Sequence, residues 1–184
     1  YTDNVDYRLT KFRTILNNLS SDRQIRLVFS DPQATQADME TADAQIRQIL
    51  NNQFPYGLYD LTFYALKYPS ANSSTFIKPL GQEREEWMEH LESGDFDRFF
   101  LHTKSPYSVE LLSVLKPVYT LDGEEIAGVI RLSLFPEKVF KPVKSVDGKA
   151  FQQVFMIDNR GNYIYGEKFP EMEEYFRFFR ENYD

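Results

Sequence analysis

VELLSVLKPVYTLDGEEIAGVIRLSLF, residues 109–135, is the stretch whose reading decides the fold. Two apolar runs rich in β-branched residues meet at Asp122-Gly123, a dipeptide that supplies the positive φ angles of a tight reversal, so the stretch predicts a β-hairpin. On the second arm Gly128, Ile130, Leu132 and Leu134 alternate with Ala127, Val129, Arg131, Ser133 and Phe135, which is the period of a strand. Both sets carry large apolar groups, so the hairpin is expected at the centre of a sheet covered on both sides. Arg131 and Ser133 interrupt one of those faces. Burying such groups is costly unless they are partnered, which makes the two positions places where a ligand could be read.

Upstream, residues 58–67 predict a strand in which Tyr59, Leu61, Phe63 and Ala65 alternate with Asp60, Thr62, Tyr64 and Leu66. Residues 75–80 predict a short strand that Pro79 confines to an edge or a strand end. Residues 82–93 read as a charged helix with Trp87 and Leu91 one turn apart and Gly94 as its stop, and 99–103 as a brief strand. Before these lie two helices. The first carries Val5, Leu9, Phe12, Leu16 and Leu19 in a heptad-like seam and meets cap formers at Ser20-Ser21-Asp22, where it kinks or restarts. Its seam suits packing on its own domain and equally pairing with a second copy. Asp31-Pro32 ends it, and residues 36–52 form the next helix.

Downstream, a linker at 137–149 leads to a second hairpin, 151–157 and 162–165, turned at Asp158-Asn159-Arg160-Gly161. A final helix begins at Pro170 and carries Met172, Tyr175, Phe176, Phe179 and Tyr183 on one face. The pattern is α+β: helices gathered on an antiparallel sheet. Three parts are expected: an N-terminal helical segment (1–54), a sheet unit (55–140) and a small appendage (141–184).

The 184 residues are enough to bury a sizeable core, and with 16 Phe and 12 Tyr that core is built largely from rings. The formal net charge of -7, with basic residues interspersed among acids, argues against a nucleic-acid surface. With no cysteine there are no disulfides, thiolate metal sites or cysteine nucleophiles. No apolar run approaches the roughly 20 residues of a membrane span. The chain starts at Tyr1 rather than Met, so we expect a fragment of something longer, with membrane segments beyond its ends.

Phosphate loops, nucleophile elbows and zinc-protease motifs are all missing, and His90 and His102 are the two imidazoles. We therefore expect no catalytic residue, no metal and no cofactor. Glu83, Glu85, Glu86 and Glu89 read as a solvated helix surface. What remains is a set of rings and cations able to converge: Tyr59, Tyr64, Arg84, Trp87, Tyr107, Tyr119 and Arg131, with Ser133 beside them. A guanidinium recognises carboxylates bidentately, and rings stack on a sugar or clamp an aliphatic group.

The order of elements resembles the extracellular double Cache sensor domains of bacterial sensor histidine kinases. IAGVIRLSL (126–134) stands where that family closes its membrane-distal, PAS-like unit, and VFMIDNRGNYIYG (154–166) where a smaller proximal unit begins. The resemblance implies an ectodomain on the outer face of the bacterial membrane, between two membrane helices, working as a homodimer. It also implies a small ligand, or a solute-binding protein, held by the distal unit between sheet and covering helix. The acid common in the family's closing strand is Ser133 here, and the family's amino-acid-binding arrangement around Arg84 and Trp87 is absent, so amino-acid specificity is not carried over. Rival expectations are a chemotaxis or cyclic-dinucleotide receptor of the same fold and, from another class, a carbohydrate-active enzyme using paired carboxylates.

Overall fold

The N-terminal segment forms two helices, α1 (Thr2–Ser21) and α2 (Arg23–Ser30), because Asp22 leaves the helical region between them at φ -61°, ψ 128°. One oxygen of its carboxylate accepts the N–H groups of Gln24 and Ile25 at 2.9 and 3.1 Å, which caps α2. The other accepts from the Gln45 side chain at 3.1 Å and ties the joint to α3 (Gln36–Gln53). A reciprocal capping box opens α3: the Thr35 N–H and hydroxyl donate to Asp38, and the Asp38 N–H donates back to the Thr35 oxygen. These hydrogen bonds favour the Asp38 carboxylate and lower its pKa from 3.8. This computed structural model describes residues 2–53, 60–66, 74–80, 87–104, 109–139, 155–157 and 163–166, with residues 174, 177, 178 and 181.

The strands are β1 (Asp60–Ala65), β2 (Ile77–Pro79), β3 (Phe99–Lys104), β4 (Val109–Tyr119) and β5 (Ile126–Leu134), with α4 (Met88–Glu92) before β3 and α5 (Pro136–Val139) after β5. They form one sheet in the order β2-β1-β5-β4-β3. The β4–β5 hairpin is central, as its pattern predicted, and Gly123 sits in its turn at φ +81°. A register shift between Val118 and Tyr119 marks where β4 leaves regular pairing.

One expectation is corrected: the sheet is not wholly antiparallel, because β2 runs parallel to β1, pairing Ile77 with Phe63 and Pro79 with Ala65. A parallel return needs a connection much longer than a tight turn, and eleven residues separate the two strands. Asp43 of α3 anchors the return, accepting from the Ser74 hydroxyl and the N–H groups of Thr75 and Phe76 at 2.8, 2.7 and 3.3 Å. Pro79 stands at the end of an edge strand, where its missing N–H costs nothing. The expected helix over 82–93 appears in its described part as α4, with Gly94 at φ +70° as its stop; its first half lies outside the described residues.

One face of the sheet is covered by the three N-terminal helices. Leu16, Leu19, Ile25, Phe29, Ala42 and Ile46 meet Phe63, Leu112, Val114, Ile130 and Leu132 in a single apolar cluster. Phe29 stacks on Phe63 with ring centroids 6.1 Å apart. Gly128 lets α2 come this close: a Cβ there would stand 2.7 Å from the Phe29 ring and 2.8 Å from the Tyr64 carbonyl oxygen. The second hairpin, β6 (Phe155–Ile157) and β7 (Tyr163–Gly166), is antiparallel as expected, and Met156, Ile164 and Tyr165 pack against the same cluster. Residues 174, 177, 178 and 181 are helical, while the predicted apolar face of that helix, Met172, Tyr175, Phe176, Phe179 and Tyr183, lies outside the described residues.

Candidate functional site

The opposite face of the sheet is built differently. Strand alternation and register place Asp60, Thr62 and Tyr64 of β1, Ser133, Arg131 and Val129 of β5, Ser113 and Leu115 of β4, and Phe100 and His102 of β3 on this side. Cross-strand rows follow directly: Asp60, Ser133, Ser113 and Phe100 lie across four strands, and Thr62, Arg131 and Leu115 form the next row. Tyr64, Trp87, Met88, Phe100, Leu115 and Val129 form a second, smaller apolar cluster, which α4 and the preceding Trp87 cap.

Arg131 is the centre of this face and only 5 % exposed. Its Nη2 donates to a carboxylate oxygen of Asp60 at 2.9 Å, and the other oxygen of Asp60 accepts from Thr62 at 3.1 Å. Its guanidinium carbon lies 4.8 Å from the Trp87 ring centroid and 5.5 Å from that of Tyr64, and the two rings are 5.0 Å apart. Removing a cation from water is expensive, and here the ion pair and two ring faces offset the cost. A desolvated cation over a ring contributes roughly 2 kcal/mol.

Beside it runs a second polar line. The Ser113 hydroxyl donates to that of Ser133 at 2.8 Å, and Nε2 of His102 lies 2.8 Å from the same Ser113 oxygen. All three side chains are buried. His90, from α4, stacks on Phe100 with ring centroids 3.8 Å apart, and the His102 ring lies 5.9 Å from the same phenyl ring. The chain's two imidazoles thus border one phenyl ring at the edge of the site. Among the described residues no group of three or more His, Asp or Glu is placed to hold a metal ion.

Of the residues singled out from the sequence, the structure brings together Tyr64, Trp87, Arg131 and Ser133. Tyr119 is corrected: it stands at the far end of the hairpin, 44 % exposed, and does not reach Arg131. It pairs with Ile126 beyond the register shift, whereas Arg131 pairs with Leu115. Tyr59, Arg84 and Tyr107 lie outside the described residues. Sequence reasoning missed Asp60, Thr62, Ser113 and His102. Asp60 and Thr62 had a signal, since they share the strand alternation of Tyr64. Asp60 is also the cross-strand neighbour of Ser133.

These observations define the class of fold: a mixed α+β domain with a five-stranded sheet in the order β2-β1-β5-β4-β3, a helical layer on one face and a capped polar patch on the other. Among solved structures the chain is similar to the E. coli DcuS sensor domain, with 17 % identity over 74 % of this chain and 94 % of that one and a TM-score of 0.45. It is also similar to the ligand-binding domain of the Campylobacter jejuni chemoreceptor Tlp3, solved in complex with 4-methylisoleucine, with 12 % identity over 90 % of this chain and a TM-score of 0.49. The chain spans 63 % of that domain's length. No protein-family model and no curated protein matches the sequence.

Proposed function

We propose that this chain is the extracytoplasmic sensing domain of a membrane-bound sensor histidine kinase and that its ligand is read at Arg131. The observation that carries this reading is a cation buried to 95 %, set among aromatic rings on a sheet face that could have been wholly apolar. Hydrophobic replacement of a buried ion pair often leaves stability unchanged or raises it, so stability alone does not account for a charged pair beneath Trp87, and a function does. In this reading the fragment performs no chemistry. It is held on the outer face of the membrane by helices beyond both ends, acts as a homodimer, and takes either a small molecule or a solute-binding protein.

Trp87 lies over Arg131, and Asp60 occupies its Nη2. A ligand that engages the guanidinium therefore moves α4 and Trp87 off the sheet or exchanges with Asp60. Binding and conformational change are then one event, and a ligand shifts the balance only by its unequal affinity for the closed and open arrangements. Tenfold selectivity is worth about 1.4 kcal/mol. Phe29 on Gly128 and the joint at Asp22 link the same strand to α2 and α1, the elements through which a shift would leave the domain.

Trp87 is the only tryptophan, so its fluorescence reports on the site directly. A small-molecule library screened by Trp87 emission should yield a saturable ligand for the wild type, weakened at least tenfold in Arg131→Lys, which keeps the charge and loses the planar fork. A ligand that saturates both proteins alike, or turnover of a glycoside lost on a single Asp or Glu substitution, refutes the reading.

A further inference from the structure

A recess of about 470 Å³ lies on the helix-covered side, between the α1–α2 junction and the β4–β5 hairpin, away from Arg131. We infer that it is a second binding site and that it takes an acidic saccharide, a uronate. Its size falls within the range of small-ligand sites. Arg26, Lys116, Asn17, Asn18 and Tyr119 line it, and no Asp or Glu does, in a chain whose net charge is -7.

Each side chain arrives with its geometry set. Arg26 donates through Nε to the carbonyl of Tyr119 at 3.1 Å and through Nη2 to those of Thr120 and Leu121. These acceptors are neutral, so the guanidinium is held firmly while its charge meets no carboxylate among the described residues. Lys116 is steadied by both oxygens of Asp97 at 2.9 Å. Asn17 and Asn18 are exposed on the last turns of α1. The Ser20 and Ser21 hydroxyls turn back to the backbone carbonyls of Asn17 and Asn18, and neither asparagine side chain has a hydrogen-bond partner among the described residues. The ring of Tyr119 stands at the rim, 44 % exposed.

This set fits one chemistry. A planar amide donates and accepts at once, which suits adjacent hydroxyls. An exposed ring covers the C–H face of a pyranose, and a guanidinium fixed through Nε and Nη2 keeps Nη1 for its carboxylate. A polyanion is disfavoured, because Asp122, Glu124 and Glu125 follow in the hairpin turn and the domain as a whole is acidic.

The test is an NMR titration of the chain with galacturonate, galactose and acetate, following the side-chain amides of Asn17 and Asn18 and the Nε–H of Arg26. Galacturonate should shift all three saturably, with galactose and acetate each about tenfold weaker, the order of loss for one charge-assisted hydrogen bond. Arg26→Ala also loosens the hairpin, so Asn18→Ala and Tyr119→Leu are the decisive variants; both should weaken galacturonate several-fold and keep the fold. No shift with galacturonate, equal binding of acetate, equal binding of galactose, or unchanged affinity in both decisive variants overturns the inference. Because Arg131 lies on the other face, Arg131→Lys should leave this titration untouched, so the two sites stand or fall separately.

Discussion

The two faces of the central sheet bury side chains to similar depth by opposite means. Beneath the N-terminal helices, Phe63, Leu112, Val114 and Ile130 meet carbon on every side, and their contribution scales with area removed from water. Beneath α4, Arg131, Ser113, Ser133 and His102 are as deeply buried, and each needs a particular partner in a particular place. The first arrangement tolerates any well-packed apolar set of the right volume. The second is worth little in net stability and specifies geometry, so the helix face holds the domain together while the α4 face fixes the position of each group.

That contrast can be broken most forcefully on the helix face. Phe63→Ala removes a fully buried ring under α2 and should cost about 3–5 kcal/mol, read as a shift in urea midpoint with unchanged slope. Native-state Trp87 emission should stay as in the wild type, because the lost ring belongs to the other layer. On the α4 face Arg131→Met should cost about 3 kcal/mol by stranding the Asp60 carboxylate, and should shift Trp87 emission in the folded protein. The double variant Asp60→Asn with Arg131→Met should recover most of that loss. If the double variant is as unstable as the single, the patch is held by packing and the contrast between faces disappears.

Smaller effects sharpen the picture at the helix joint. Asp22→Ala should lose about 1 kcal/mol, measured by thermal unfolding, since it removes the cap of α2. The capping box of α3 gives the smallest signal. Because the folded-state pKa of Asp38 lies below 3.8, its contribution is complete above about pH 4 and is lost as pH falls through the folded value. Asp38→Asn should therefore be less stable than the wild type at pH 6 and indistinguishable from it at the lowest pH where both still fold, compared by urea midpoints.

Much of the fold was legible because it is locally encoded. Asp122-Gly123 between alternating arms gave away the hairpin, Asp22 the restart of the helix, and Pro79 the edge strand. The candidate site was legible only in part. Arg131 and Ser133 stood out because they break an apolar period, and Tyr64 and Trp87 as rings near them in the predicted order. Tyr119 was misplaced because four residues along an extended strand carry a ring well out of reach, and because the register shift after Val118 carries it beyond the regular ladder.

What the sequence by itself determined was periodicity and punctuation: which residues are helical or extended, where each element stops, and that a cation and a hydroxyl interrupt a buried face. Tertiary structure alone decided adjacency. That β1 lies beside β5, so that Asp60 meets Arg131 across 71 positions of sequence, and that β2 returns parallel under the hold of Asp43, follow from strand order and crossover. Side-chain alternation is a property of each strand separately and carries no mark of its neighbour. The partner that makes burial of Arg131 tolerable is therefore absent from any local pattern and appears only when the sheet is assembled.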